Sequence, residues 1–231
     1  MMTPPYSEPN SIRSNPLSES ILLIRRPFVN WTLEEGGNVR TIIMLVMNAS
    51  VLDLNKSVVL AVDLQPRFLS AIHQAERVVR RSGVLLGIAR ILGVPVIATV
   101  QYSEKMGGFA PELADLLETE PIDKLRFSCS GCAQVDAGLA QIGRRQVVLV
   151  GIETHICVTQ TALDLLGKGF EVFVCADAVG ARTEDRHQIG IGRLRDAGVA
   201  ILHSESAAYE WMRSADHPQF RNVLPLIKSS A

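Results

Sequence analysis

Gln146-Val-Val-Leu-Val-Gly-Ile-Glu-Thr-His-Ile-Cys-Val-Thr-Gln-Thr-Ala-Leu-Asp-Leu-Leu-Gly-Lys-Gly169 decides the fold class of this chain. Its opening run is apolar and free of charge, and Gln146–Val150, short and valine-rich, has the pattern of a strand buried on both faces. From Val158 the apolar positions change to helical spacing, and glycine ends the run at Gly167 and Gly169. Cys157 therefore sits on a strand-to-helix turn. Backbone N–H groups at a helix start favour negative charge, so a thiol there is expected to ionise more readily and to serve as a nucleophile. The competing reading is that Cys157 is one more small buried residue, since free cysteines are among the most buried side chains.

Working outward, Ser57-Val-Val-Leu-Ala-Val62 reads as a second buried strand; it ends on Asp63, with Gln65-Pro66 behind it. Ala71–Leu92 shows apolar positions at helical spacing with basic residues between them, and Gly93 stops it before the strand Pro95–Val100. That is a βαβ unit. A loop with Gly107-Gly108, a short helix from Pro111, the segment Ile122-Asp-Lys-Leu-Arg-Phe-Ser128 and a helix over Ala133–Ile142 follow. The strand Glu171–Ala176, the helix Glu184–Ala197 and the strand Val199–Leu202 complete six strands alternating with helices. Such alternation predicts an α/β fold: a three-layer αβα sandwich around a six-stranded parallel sheet, Rossmann-like, in a single domain over residues 56–231. In open sheets of this kind the ligand crevice lies off the carboxyl ends of the strands. Asp63 and Cys157 would come to that edge together, and Lys124 is placed to deliver its ammonium there.

An Asp, a Lys and a late Cys at strand ends is the constellation of the isochorismatase-like cysteine hydrolases, and Gly151-Ile-Glu-Thr-His-Ile-Cys-Val158 resembles their nucleophile segment. The likeness runs from about Lys56 to about Lys228 and takes in Val62-Asp-Leu-Gln65, Lys124 with Phe127-Ser128, and Cys175-Ala-Asp-Ala178. It is nearest to the uncharacterised isochorismatase-domain proteins. The resemblance implies a catalytic triad of Asp63, Lys124 and Cys157, in which Asp63 takes the thiol proton, the thiolate attacks a carbonyl or imino carbon, and Lys124 holds both partners. With the lysine close by, both acids are expected to titrate low, leaving an ion triad at rest. The family also carries a cis peptide before the position matched by Glu153, so the backbone N–H groups of Glu153 and Cys157 are the implied oxyanion donors. Phe68, Gln101, Tyr102 and Phe109 are the implied pocket lining.

Departures from relatives narrow the chemistry. Nicotinamidases of the superfamily carry an Asp-x-His metal set where this chain has Thr99-Val-Gln-Tyr-Ser103, so no metal and no cofactor are expected. His73, His155, His187, His203 and His217 have no ligand spacing either. True isochorismatases, which cleave a vinyl ether without a covalent intermediate, have glycine at the position of Cys157. The function expected is metal-free hydrolysis of a small amide-like C–N bond through a thioester-type intermediate. Two alternatives stand beside it: a thiol redox protein using Cys129-Ser-Gly-Cys132, and an oligomeric scaffold or binding module that keeps the fold without the activity.

Composition bounds the partners. With 231 residues, 47% of them hydrophobic, and a net charge of −1, the chain can bury one substantial core and has no bias toward polyanions. A small-molecule substrate is expected, with no nucleic acid and no membrane. Four cysteines, Cys129, Cys132, Cys157 and Cys175, do not make a disulfide framework, and without a signal peptide pattern the expected location is the cytoplasm. Asn30-Trp-Thr and Asn48-Ala-Ser are then chance matches to the glycosylation pattern. The apolar segments Ala71–Leu92 and Val158–Leu166, together with family habit, predict a homo-oligomer. Residues 1–55 read as an N-terminal extension outside the domain, with residues 1–20 too rich in Ser, Pro and Asn to fold. One expectation is that translation begins at Met44 or Met47, which terminal mass spectrometry of the native protein would check.

Overall fold

In the computed structural model of the chain, residues 28–35, 38–45 and 51–229 are described, the first two stretches by backbone pairing alone. β1 (Phe28–Glu35) and β2 (Asn38–Leu45) pair antiparallel, from Phe28 opposite Leu45 to Glu35 opposite Asn38. They belong to a unit of their own, residues 1–46, and residues 47–231 form the other. Hydrophobic periodicity gives no regular element over the hairpin; the overlooked signal is Gly36-Gly37, a two-residue glycine connection of the type that joins hairpin strands. Residues 1–20 and Met47 lie outside the described residues.

The remaining strands, β3 (Ser57–Val62), β4 (Val96–Gln101), β5 (Ile122–Lys124), β6 (Gln146–Ile152), β7 (Glu171–Gly180) and β8 (Ala200–Leu202), make one sheet in the order β5-β4-β3-β6-β7-β8. Every neighbouring pair is parallel. This is the six-stranded α/β sandwich that the alternation of patterns requires. The helices are α1 (Pro66–Leu69), α2 (Ala75–Leu92), α3 (Ser103–Met106), α4 (Pro111–Ala114), α5 (Ala133–Ile142), α6 (Thr159–Gly167), α7 (Glu184–Asp196), α8 (Ser204–Met212) and α9 (Phe220–Lys228). A π-helical turn over Thr154–Val158 precedes α6. α2 starts later than its apolar spacing predicts because Gln74 is left-handed, with φ 54°, and it ends where Gly93 turns left-handed. α8 and α9 have no counterpart in the sequence reading: α8 is built on small residues around Trp211 and Met212, and α9 carries Pro225 inside its amphipathic run.

Alternation along each strand feeds two cores. Val59, Ala61, Val148, Val150 and Ile152 face α2, α8 and α9, while Val58, Leu60, Val62, Val147 and Leu149 face α5, α6 and α7. All are buried, so the sheet is covered on both faces. The apolar faces of α2 (Val78, Leu85, Leu86, Ile88) and α6 (Ala162, Leu165) are spent inside these cores. That corrects the ground for expecting a homo-oligomer, since the segments that motivated it pack within the chain.

Strand order positions the site. From β3 the chain builds outward through β4 to β5, then returns to the other side of β3 to lay down β6, β7 and β8. The reversal lies between β3 and β6, and crevices form at such switch points. The two strands are unusually close there: Gly151 pairs with Val62, has φ 110°, and a Cβ on it would stand 2.0 Å from the Val62 carbonyl oxygen. Only glycine fits that crossing.

Candidate active site

Asp63 is the residue immediately beyond β3, and its backbone is left-handed, with φ 50°. A non-glycine residue at positive φ is uncommon and marks a place where structure serves a purpose beyond packing. Its N–H donates to the Thr99 carbonyl at 3.1 Å, and its own carbonyl accepts from Gln65 N–H at 2.7 Å, which folds the chain back at once. The buried Gln65 amide then clasps the end of β4: its Oε1 accepts from Gln101 N–H at 2.6 Å and its Nε2 donates to the carbonyls of Gly107 at 2.7 Å and Gln101 at 3.2 Å.

Lys124 closes β5, and its side chain is only 1% exposed. Nζ donates to Asp63 Oδ2 and Gln101 Oε1, each at 2.7 Å, and to the carbonyls of Arg126 and Phe127 at 3.1 and 3.2 Å. A buried ammonium is tolerated only when its donors are met. Here the loop after β5 wraps its carbonyls around the charge. Thr99 Oγ1 donates to the second carboxylate oxygen, Asp63 Oδ1, at 2.8 Å.

Cys157 lies in the π turn, 8% exposed, near enough to Asp63 for the carboxylate to act on its thiol. The turn is pinned from several sides. Ile156 and Val158 N–H both donate to the Glu153 carbonyl, Thr159 Oγ1 donates to the Thr154 carbonyl at 2.6 Å, and Thr154 Oγ1 meets His187 Nδ1 at 3.0 Å. Gly190 of α7 lets that helix press against His155, where a Cβ would stand 3.1 Å from its Cα. The peptide between Ile152 and Glu153 is cis, and among the described residues nothing accepts the Glu153 N–H. Isolated π turns inside helices recur at functional sites.

The charge state at rest differs from the expected ion triad. Burial pushes the Cys157 thiol up to about 12, the nearby Asp63 carboxylate adds to the rise, and Lys124 opposes it without overcoming it. Burial likewise raises Asp63 above the ordinary carboxylate range, outweighing Lys124, Thr99 and Cys157. The reason is three-dimensional: the turn is roofed by α7, so desolvation exceeds whatever the helix start contributes. At rest the site is an Asp63–Lys124 ion pair beside a protonated Cys157 thiol.

The other sequence-predicted positions divide. Gln101 is drawn into the site as an acceptor for Lys124 and donates from Nε2 to the Leu125 carbonyl at 2.8 Å. Tyr102 is partly exposed with Lys105 Nζ 5.7 Å from its ring centre, Phe68 packs against the first core, and Phe109 is part of that core. His155 keeps company with Glu153, Arg182, Arg186 and Asp185, and burial lowers its pKa. Cys129 is fully buried with its thiol pushed to about 11, which ill suits a redox pair with the partly exposed Cys132. Asp177 ties down the start of α8, accepting from Ser204 N–H at 2.8 Å and from its hydroxyl. Thr99 and Gln65 were missed; the available signal was polar residues at the carboxyl ends of otherwise apolar strands. Among the described residues no cluster of three or more His, Cys, Asp or Glu is arranged to hold a metal, and no helix is long and apolar enough to cross a membrane.

Comparison with known proteins places these features in a lineage. The model of the isochorismatase domain matches residues 57–206. The chain is 39% identical over 177 residues to isochorismatase domain-containing protein 1 of Danio rerio, covering 76% of this chain and 62% of that protein. It is 35% identical over 180 residues to the secreted isochorismatase effector Isc1 of Phytophthora sojae, covering 75% and 85%. Among solved structures, the MAR1 ribonuclease of Caenorhabditis elegans superposes with a TM-score of 0.75 at 35% identity over 79% of this chain and 94% of that one. YcaC of Pseudomonas aeruginosa, solved with hexane-2,5-diol and covalent acrylamide, gives 0.71 at 25% identity over 79% and 98%.

Proposed function

The chain belongs to the isochorismatase domain family, and from that membership we propose that it is a hydrolase of small amide-like C–N bonds in which Cys157 is the nucleophile. The observation that carries the reading is the gathering of thiol, carboxylate and ammonium at the switch point: Asp63 is bonded to Lys124 at 2.7 Å, and its carboxylate acts on the Cys157 thiol nearby. A Pseudomonas neighbour of the same fold was solved with covalent acrylamide, an electrophile of the kind that thiols take up.

The resting protonation sets the order of events. As the sulfur attacks the carbonyl carbon, its proton passes to Asp63, the C–S bond forms, and the carbonyl electron pair moves onto oxygen. A carboxylate raised above its ordinary range is a better base for this transfer than an unperturbed one. The unused N–H of Glu153, with that of Cys157, receives the oxyanion. Collapse breaks the C–N bond while Asp63 returns its proton to the leaving nitrogen, leaving a thioester. Water then attacks, giving a proton to Asp63, and the acid departs as the sulfur takes that proton back. Lys124 keeps its charge throughout and holds the carboxylate in line. No metal or cofactor enters these steps.

We also propose that the chain forms a homo-oligomer, for which the exposed Leu125 (72%) and Phe127 (54%) are apolar side chains left open on the surface. Light scattering that gives a monomer at working concentration would remove that reading. Four free cysteines suit a reducing cytoplasm.

The test is a panel of small amides, ureides and hydroxamates run on the wild-type protein and on Cys157→Ala. Turnover of one class that vanishes in the variant supports the reading. A short RNA oligonucleotide belongs in the panel because the Caenorhabditis neighbour is called a ribonuclease. Cleavage of RNA that depends on Cys157 would replace the amide reading.

A further inference from the structure

Thr99 and Cys129 sit behind the site and take no part in the steps above. Thr99 is fully buried in β4, and Cys129 is fully buried on the loop leading to α5. Thr99 Oγ1 lies 2.8 Å from Asp63 Oδ1 and 3.6 Å from Cys129 Sγ. Cys129 N–H in turn donates to Thr161 Oγ1 at 2.9 Å, on the helix that follows the Cys157 turn. Each donor in this row has a forced direction. An ionised carboxylate accepts only, so the Thr99 hydroxyl must spend its proton on Asp63. Thr99 Oγ1 then has only lone pairs to offer, and Cys129 must be the donor to it.

We propose that Thr99 is a positioning residue for Asp63 and that the Cys129 thiol orients it, forming a one-way chain from Cys129 through Thr99 to the Oδ1 oxygen. Oδ2 belongs to Lys124, so the carboxylate is gripped on both oxygens and its plane is fixed relative to the Cys157 sulfur. The chain also favours the ionised base, because it supplies a donor that a protonated Oδ1 would not need. Cys129 holds its proton well past neutrality, which keeps the row pointing one way. The titratable groups facing Asp63 are Lys124 from β5, Cys157 from the π turn and Cys129 from the loop before α5. Removing the Thr99 hydroxyl therefore subtracts one donor from Asp63 and leaves those three in place.

The inference rests on Asp63 acting as base to Cys157, and the experiment separates the two ideas. The readout is the pH dependence of acrylamide addition to Cys157, followed by intact-protein mass spectrometry with peptide mapping, in the full chain. Wild-type protein should show an acid limb where Asp63 ionises. Thr99→Val should move that limb to higher pH by about one unit, the scale of one hydrogen bond to a charged group, and Thr99→Ser should restore it. Cys129→Ala should shift it the same way by less. If Asp63→Asn abolishes the limb and Thr99→Val leaves it unmoved, the positioning role is wrong while the base survives. If Asp63→Asn leaves it unmoved, the base itself is wrong. A shift in Thr99→Val that Thr99→Ser does not restore reduces Thr99 to packing and also overturns the proposal. Should Thr99→Val fail to fold by circular dichroism, Cys129→Ala decides, and an unmoved limb there overturns the chain.

Discussion

Replacing one sulfur by oxygen at position 157 is the smallest change that separates chemistry from fold. Cys157→Ser is expected to keep the structure and to lower turnover by at least about three orders of magnitude, since a hydroxyl is a far poorer nucleophile and a carboxylate a weak base for it. Cys129→Ser and Cys132→Ser should retain most activity, the first because a hydroxyl still donates toward Thr99. Steady-state rates on any substrate found by the panel check all three. Reactivity toward iodoacetamide carries the sign of the Cys157 shift: because burial raises the thiol from 9.0 to about 12, alkylation should be slow at neutral pH and climb through 9 without levelling. Beyond the limb set by Asp63, a rate that stays level through 9 with no further climb would mean that Lys124 wins over desolvation. Of the proposed triad, Asp63 and Cys157 were legible because each stands at the end of a core strand or on its turn, whereas Lys124, on a short edge strand, stood out through the family resemblance. Their charge states were not, because desolvation belongs to the packed turn and not to the string of letters. Thr99 was hidden for another reason: threonine in a strand reads as an ordinary β-former.

At the level of elements the crossing of β6 over β3 sets the tolerance of the site. Gly151→Ala would push a methyl group into the Val62 carbonyl and require a side chain at φ 110°, so a loss of at least about 3 kcal/mol is expected in urea unfolding. Gly192 is the control. It lies inside α7 with nothing near its would-be Cβ, and Gly192→Ala should stabilise by about 0.5–1 kcal/mol through helix propensity and a less free unfolded chain. Strands with unbroken valine runs, and helices stopped by Gly93 and Gly143, declared themselves in sequence. α8 did not, since Ser-Ala-Ala around one tryptophan has little periodic contrast, and Pro225 disguised α9. The π turn was invisible: Thr154–Val158 has no local mark, and its geometry is imposed by Gly190, His187 and the carbonyl of Glu153.

Across the whole molecule, buried thiols make stability depend on alkaline pH. Cys129 is raised to about 11, Cys157 to about 12 and Cys175 well above its ordinary 9.0, each chiefly by burial. Between 9.0 and those values the folded chain holds protons that the unfolded chain has released, so stability should fall as pH rises through that window. Urea midpoints measured on either side of pH 9 check the sign, and Cys175→Ala, though weaker overall, should show a shallower decline. The layered architecture was readable from alternation alone, because covering a parallel sheet on both faces leaves few other solutions. The hairpin of β1 and β2 was not, because its glycine connection was the only strong cue.

The lysine of the site hangs from one of the sheet's two slightest members. β5 has three residues, stands at the edge, and pairs only through Thr99, Val100 and Gln101. Asp63 and Cys157, by contrast, are rooted in β3 and β6 at the centre. Brief openings of an edge cost far less than global unfolding, so amide protons of Asp123 and Lys124 should exchange with solvent well before those of Val148 and Leu149. Each such opening withdraws the cation and leaves Cys157 beside an uncompensated Asp63 carboxylate. The protein would then pass through moments in which it is folded by every spectroscopic measure and yet chemically idle.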